Sequence, residues 1–205
     1  AGNIVTSGSQ TFYGLTFNGS GGGWALQDSL TVAGALSVSA GTLDANDQNI
    51  ALAGSLTIAN EAGWTKGTGT LTLNGSGQNL LDGNSTVNDL GAVATSGTGT
   101  STLTGNLGVT TMSIGNGTTL NLGAGSYTLT LTGTGTPITT NTTGTFSKGT
   151  GSTVNYTGTT TATNVVTLAY NSLSFNPTAA TTYSLTGNLT SANALTGNIT
   201  IGANA

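Results

Sequence analysis

The chain repeats itself. Trp64-Thr65-Lys66-Gly67-Thr68-Gly69 returns as Phe146-Ser147-Lys148-Gly149-Thr150-Gly151, so the only two lysines fall at matching positions. After one inserted residue the match runs on, with Leu71-Thr72-Leu73-Asn74-Gly75 against Val154-Asn155-Tyr156-Thr157-Gly158. Upstream, Leu30-Thr31-Val32 aligns with Leu107-Gly108-Val109, and Gly41-Thr42-Leu43-Asp44 with Thr118-Thr119-Leu120-Asn121. Self-similarity at a long, nearly constant spacing marks a stacked, quasi-one-dimensional architecture.

Within the repeat the hydrophobic period is two. Leu30-Thr31-Val32, Leu36-Ser37-Val38, Leu56-Thr57-Ile58, Leu71-Thr72-Leu73, Leu120-Asn121-Leu122, Leu129-Thr130-Leu131 and Ile199-Thr200-Ile201 put two aliphatics on one face and a polar residue on the other. That is the half-buried strand pattern. Turn-forming clusters such as Asn18-Gly19-Ser20-Gly21-Gly22-Gly23 and Asn74-Gly75-Ser76-Gly77 separate the strands. No stretch has a 3.6 period, and Thr, Gly and Asn are poor helix formers. The expected fold is all-β, a β-solenoid (parallel β-helix) with roughly 20 to 25 residues per coil. The alternative is a β-sandwich filament subunit with strand exchange, but a sandwich has no reason to repeat its own sequence. We expect one elongated domain over residues 1–205, with units at 15–87 and 90–167 and a partial unit at 173–205 that stops mid-repeat without a polar cap.

Composition narrows the function. Charged residues make up 4% of the 205, with two lysines, six acids, no His, no Cys and a net charge of −4. Nucleic-acid binding needs a basic footprint, and a spanning helix needs 18 or more consecutive apolar residues; the sequence has neither, and no cleavable signal is legible at its start. Without His or Cys there is no imidazole base and no thiolate, so we expect no enzyme and no cofactor. The one close pair of acids, Asp44 and Asp47, lies in Leu43-Asp44-Ala45-Asn46-Asp47-Gln48-Asn49. Counted from Asp44 as a calcium loop, the sixth position is Asn49 instead of Gly and the twelfth is Ser55 instead of Glu. A polar turn is the reading, and a single calcium site at Asp44 and Asp47 the alternative.

Asn-x-Ser/Thr sequons occur at Asn18, Asn74, Asn84, Asn116, Asn141, Asn155, Asn188 and Asn198. They are glycosylation candidates, though in a chain this rich in Asn, Ser and Thr chance alone supplies nearly as many. Trp24, Trp64, Phe12, Phe17, Phe146 and Phe175 read as packing residues, with stacking on sugar rings as the other use. Thr-x-Thr runs at Thr68 to Thr72, Thr98 to Thr104 and Thr128 to Thr136 suit outward strand positions; as a flat array they would form an ice-binding face.

Segments such as Ser29-Leu30-Thr31-Val32-Ala33-Gly34-Ala35-Leu36-Ser37-Val38-Ser39-Ala40-Gly41-Thr42-Leu43-Asp44 and Gly67-Thr68-Gly69-Thr70-Leu71-Thr72-Leu73-Asn74-Gly75-Ser76-Gly77 resemble the repeats of large bacterial surface proteins. Those are the adhesin-like, filamentous-haemagglutinin-like β-helical proteins. The resemblance implies an extracellular or cell-surface structural protein, a fibre or adhesin shaft. Its partners would be copies of itself, stacked head to tail, and host or biofilm glycans. The ends of the coil supply the expected subunit contacts: Ile4, Phe12, Leu15 and Phe17 at one, Leu195, Ile199 and Ile201 at the other. Carbohydrate binding or ice binding is the alternative function. With so few charges, stability should rest on aliphatic ladders and vary little with pH.

Overall fold

The computed structural model describes residues 2–159, 162–189 and 195–205. The chain winds into an all-β parallel solenoid of about nine turns, with about 21 residues per turn. Every strand pairing among the described residues is parallel, which excludes the sandwich. Most strands are short because each contributes one or two aliphatics to the core before a Gly- or Asn-rich corner turns the chain. Turn length is uneven. Leu30 lies over Ile50 after a compact turn, whereas Met112 reaches Ile138 only after a distinctly longer one.

Three faces enclose the core. The first stacks strands Thr11–Phe12, Leu30–Val32, Ile50–Leu52, Thr70–Leu73, Ala92–Thr95, Thr111–Ile114 and Ile138–Thr140. The second begins at Leu15–Leu26 and Leu36–Asp44 and runs through Leu56–Ile58, Gln78–Asp82, Thr100–Leu103 and Thr119–Asn121 to Thr145–Ser147. The two long strands bend round a corner, so their second halves open the third face: Trp24 pairs with Leu43, and Leu43 with Trp64. Strand Asn3–Val5 leads this part of the sheet by pairing with Trp24 to Leu26. Further along, the third face continues as Leu107–Val109, Thr128–Leu131, Thr153–Tyr156, Ser172–Phe175 and Ile199–Ile201.

Inward residues form columns. Leu30, Ile50, Leu71, Val93, Met112 and Ile138 stack six deep and are buried throughout. Leu15, Leu36, Leu56, Leu80 and Leu103 form a second column, and Leu107, Leu129, Val154, Leu173 and Ile199 a third. Burying each such side chain contributes roughly 1.5–3 kcal/mol. Outward residues are small and polar, as the alternation requires. The first face reads Thr11, Thr31, Ala51, Thr72, Ala94, Ser113 and Thr139, a mixed row and not an unbroken threonine array. Corners stack tightly enough to demand glycine: a Cβ on Gly54 would run into the backbone of Gly34 one turn below.

Two features depart from the sequence reading. Residues matched by the long repeat do not share a column. Phe146 stacks on Leu120, Ser101 and Gln78 on the second face, while Trp64 stacks on Leu43 past the next corner. Uneven turns carry the repeat out of phase with the coil, so Lys66 and Lys148 sit in different surroundings. The interior is also not purely aliphatic. Gln78, Asp82, Thr95 and Ser101 occupy inward positions, and each is hydrogen-bonded there as a buried polar group must be. Gln78 Nε2 donates to the carbonyls of Leu52 and Gly54, and Ser101 Oγ donates to Gln78 Oε1. Thr95 and Thr118 share a hydroxyl–hydroxyl bond of 2.6 Å.

Candidate functional site

The acids brace corners. Asp28 accepts the amides of Ser7 and Gly8, each at 2.7 Å, closing the first turn. The Ser7 amide in particular holds the Asp28 carboxyl below its ordinary value, with smaller help from the Ser7 hydroxyl and the Gly8 and Ser9 amides, against slight desolvation. Asp44 Oδ1 accepts the Asn46 amide at 2.9 Å, and Asp47 Oδ1 accepts the Thr68 amide one turn away at 2.7 Å. Asn46 and Asp47 both take left-handed φ, 46° and 61°, a conformation Asn and Asp tolerate best among residues with a side chain. The candidate calcium pair therefore sits in an Asx-type turn with both carboxylates bonded to backbone. Among the described residues no three or more His, Cys, Asp or Glu side chains converge.

The inward Asp82 ends the column Phe17, Val38, Ile58. Its Oδ1 accepts from the Asn84 amide and side chain, and its Oδ2 from those of Asn88. Asn84 in turn accepts the Glu61 amide at 2.7 Å and donates to the carbonyl of Ala62 at 2.9 Å. The carboxamide of this sequon thus ties two turns together. Asn155 is half-buried in a strand and accepts from Asn176 at 3.2 Å. Asn18, Asn74, Asn116, Asn141, Asn188 and Asn198 are exposed; Thr190 of the Asn188 sequon lies outside the described residues.

The ion pair among the described residues joins Lys66 to Asp89 across adjacent turns. Lys66 Nζ donates to Asp89 and to Thr110 Oγ1 at 2.6 Å; Thr110 and Thr132 donate to Asp89 at 3.0 and 2.5 Å, and Gly91 N donates to it at 2.9 Å. Four successive turns meet at this carboxylate. Burial works to raise Asp89, but the Lys66 ammonium first, then the Thr132 hydroxyl and the Gly91 amide, hold it below the ordinary carboxylate value. Sequence reasoning missed the cluster because its hydrogen-bonded side chains lie 21 to 44 residues apart and meet only through the coil. Lys148 instead donates to Thr196 Oγ1 at 3.0 Å.

Of the expected contact residues, Ile4, Ile199 and Ile201 are exposed at the ends of the coil. Phe12, Leu15 and Leu195 pack partly against the core. Phe17 lies inside the core, its ring 5.3 Å from that of Trp24, and offers no surface to a partner. Ile199 and Ile201 hold inward column positions above Leu173 and Phe175, yet are 53% and 69% exposed because no turn covers them among the described residues. With Leu185, Leu189, Tyr183 and Phe175 they line an open apolar cleft of about 520 Å³. Beneath it the rings of Tyr156 and Phe175 stack at 5.7 Å, and the hydroxyls of Tyr156 and Tyr170 meet at 3.3 Å in the interior.

Compared with known proteins, the chain matches no family model, no curated protein and no solved structure. What the fold defines is the class: a parallel β-solenoid repeat protein.

Proposed function

We propose that this chain is a structural, non-enzymatic β-solenoid module, the shaft of an extracellular fibre or surface adhesin, lengthened by head-to-tail stacking of copies. The observation that carries the reading is the parallel coil itself, whose inward aliphatic columns run from turn to turn and can be extended by any further turn, of the same chain or of a second copy. Among the described residues, strand Ile199–Ile201 is paired along one edge only and exposes its two inward isoleucines, and an open strand edge is a template for another strand. The third face starts at the other end of the coil with Asn3–Val5, a strand of the same direction whose outer edge is also free among the described residues. A second copy stacked there continues the sheet and brings Val5 over Ile201. A contact of this kind does not close on itself and so builds an open filament.

Charge distribution favours the same polarity. All six acids lie between Asp28 and Asp89, whereas residues 90–205 carry Lys148 alone. The leading half of one copy is negative and the trailing half of the next is slightly positive, so the heads repel each other and a head meets a tail. Negative-stain microscopy and sedimentation velocity across a concentration series test the proposal. Rods that lengthen with concentration, and stay short in Ile199→Lys/Ile201→Lys, are the expected result. Short monodisperse rods at every concentration would overturn it and leave further turns of a longer chain as the cover of the trailing edge.

A further inference from the structure

One corner of the coil is built differently from the rest. Strands Leu15–Leu26 and Leu36–Asp44 are in register up to Phe17 and Val38, then Asn18 pairs with Ala40 and Gly23 with Thr42. Residues 19–22 are therefore extruded as a loop, with Gly21 at its tip in a left-handed conformation, φ 70°, and open space around it. Below the loop, Gly41 sits at φ 80°, and a Cβ there would lie 2.5 Å from the carbonyl oxygens of both Gly19 and Gly22. The far edge of the Trp24 indole lies against Gly19, Gly22 and Gly41, where side chains would displace it. One turn further on, the reversal Ala59–Ala62 holds Glu61 at φ 67°, a conformation a glutamate adopts only when its surroundings impose it. The surroundings are identified: Asn84 of the next turn accepts the Glu61 amide and grips the reversal through the carbonyl of Ala62.

The three corners, stacked along the axis, enclose a groove of about 390 Å³. Its functional groups are the hydroxyls of Ser20, Ser39 and Thr42, the carboxamide of Asn60, the carboxylate of Glu61 and the backbone of the glycine loop. Glu61 is exposed, and among the described residues its carboxylate makes no hydrogen bond or ion pair. The groove spans two strand spacings, roughly 10 Å, which is the reach of two or three sugar rings. Neither lysine lines it, so anions are disfavoured. Hydroxyls and a carboxamide, which both give and accept hydrogen bonds, surround one carboxylate that can accept two at once. We propose that this groove binds a short, uncharged oligosaccharide, with Glu61 accepting a pair of neighbouring sugar hydroxyls and Ser39, Thr42 and Asn60 bonding the adjoining ring. The site is independent of end-to-end assembly, because it lies on the side of the coil.

Isothermal titration of the full chain with cellotriose, maltotriose and triacetylchitotriose, and with sialyllactose as the anionic counterpart, tests this directly. Saturable binding of at least one neutral trisaccharide and none of the anion is expected. Glu61→Gln should weaken it about tenfold, the loss of a charge-assisted hydrogen bond, and Ser39→Trp should abolish it by filling the groove. Both positions are solvent-exposed, so circular dichroism should be unchanged in either variant. No binding of any neutral trisaccharide, or binding that survives both substitutions within twofold, would overturn the proposal.

Discussion

Asp89→Asn tests whether a chain with so few charges nevertheless depends on one of them. Asp89 gathers Lys66, Gly91, Thr110 and Thr132, and its side chain is 22% exposed against 43% for Lys66. A buried hydrogen bond to a charged group contributes about 1.5–3 kcal/mol, and an exposed ion pair about 0.2–1 kcal/mol. The site lies between these limits, so screening trims the first figure. We expect Asp89→Asn to destabilise by about 1–2 kcal/mol, Lys66→Ala by about 0.5–1 kcal/mol, and the pair to couple by about 0.5 kcal/mol or more in a double-mutant cycle. These values set one ion cluster beside the aliphatic ladders on which composition alone rests the stability. Urea unfolding at pH 7 in low salt measures all three.

The pH dependence carries a sign. Asp89 is held below its unfolded value, near 3.9, so its contribution is fully present above about pH 4 and is lost as pH falls through the lower folded value. The gap between wild type and Asp89→Asn should hold from pH 7 to about 5 and close toward pH 2. Variants that both lie within about 0.3 kcal/mol of wild type, or a gap that widens on acidification, would refute the reasoning.

Two further outcomes follow from the core. Leu71→Ala, in the middle of the six-deep column between Ile50 and Val93, should lose about 2–5 kcal/mol by chemical denaturation, because neighbours above and below limit collapse of the cavity. Burial raises Tyr156 far above its normal value and pushes Tyr170 up to about 12; both stay protonated when folded but ionise near pH 10 when unfolded. Stability should therefore be flat up to about pH 9.5 and fall above it, and Tyr170→Phe should reduce that alkaline loss in a melting series.

The sequence by itself determined the fold class. A period of two, short strands and self-similarity leave a stacked parallel coil as the economical solution, and Leu30, Leu71, Leu129 and the other alternating aliphatics face inward as read. Those signals are local: each depends on next-but-one neighbours along the chain. What the tertiary structure decided depends on residues a full turn apart, and a turn length that changes from coil to coil cannot be read from any local pattern. Val93 meets Met112 after a short turn and Met112 meets Ile138 after a long one, so the long-range sequence match slips from one face to another and separates Trp64 from Phe146. The same unevenness gathers Lys66, Asp89, Thr110 and Thr132 at one corner, turns Asp82 inward onto Asn84 and Asn88, and opens a groove where the glycine loop is extruded beside Gly41. Register between coils is a property of the stack. Each corner's length and the backbone hydrogen bonds of its neighbours set it together, and only the folded chain brings them into contact.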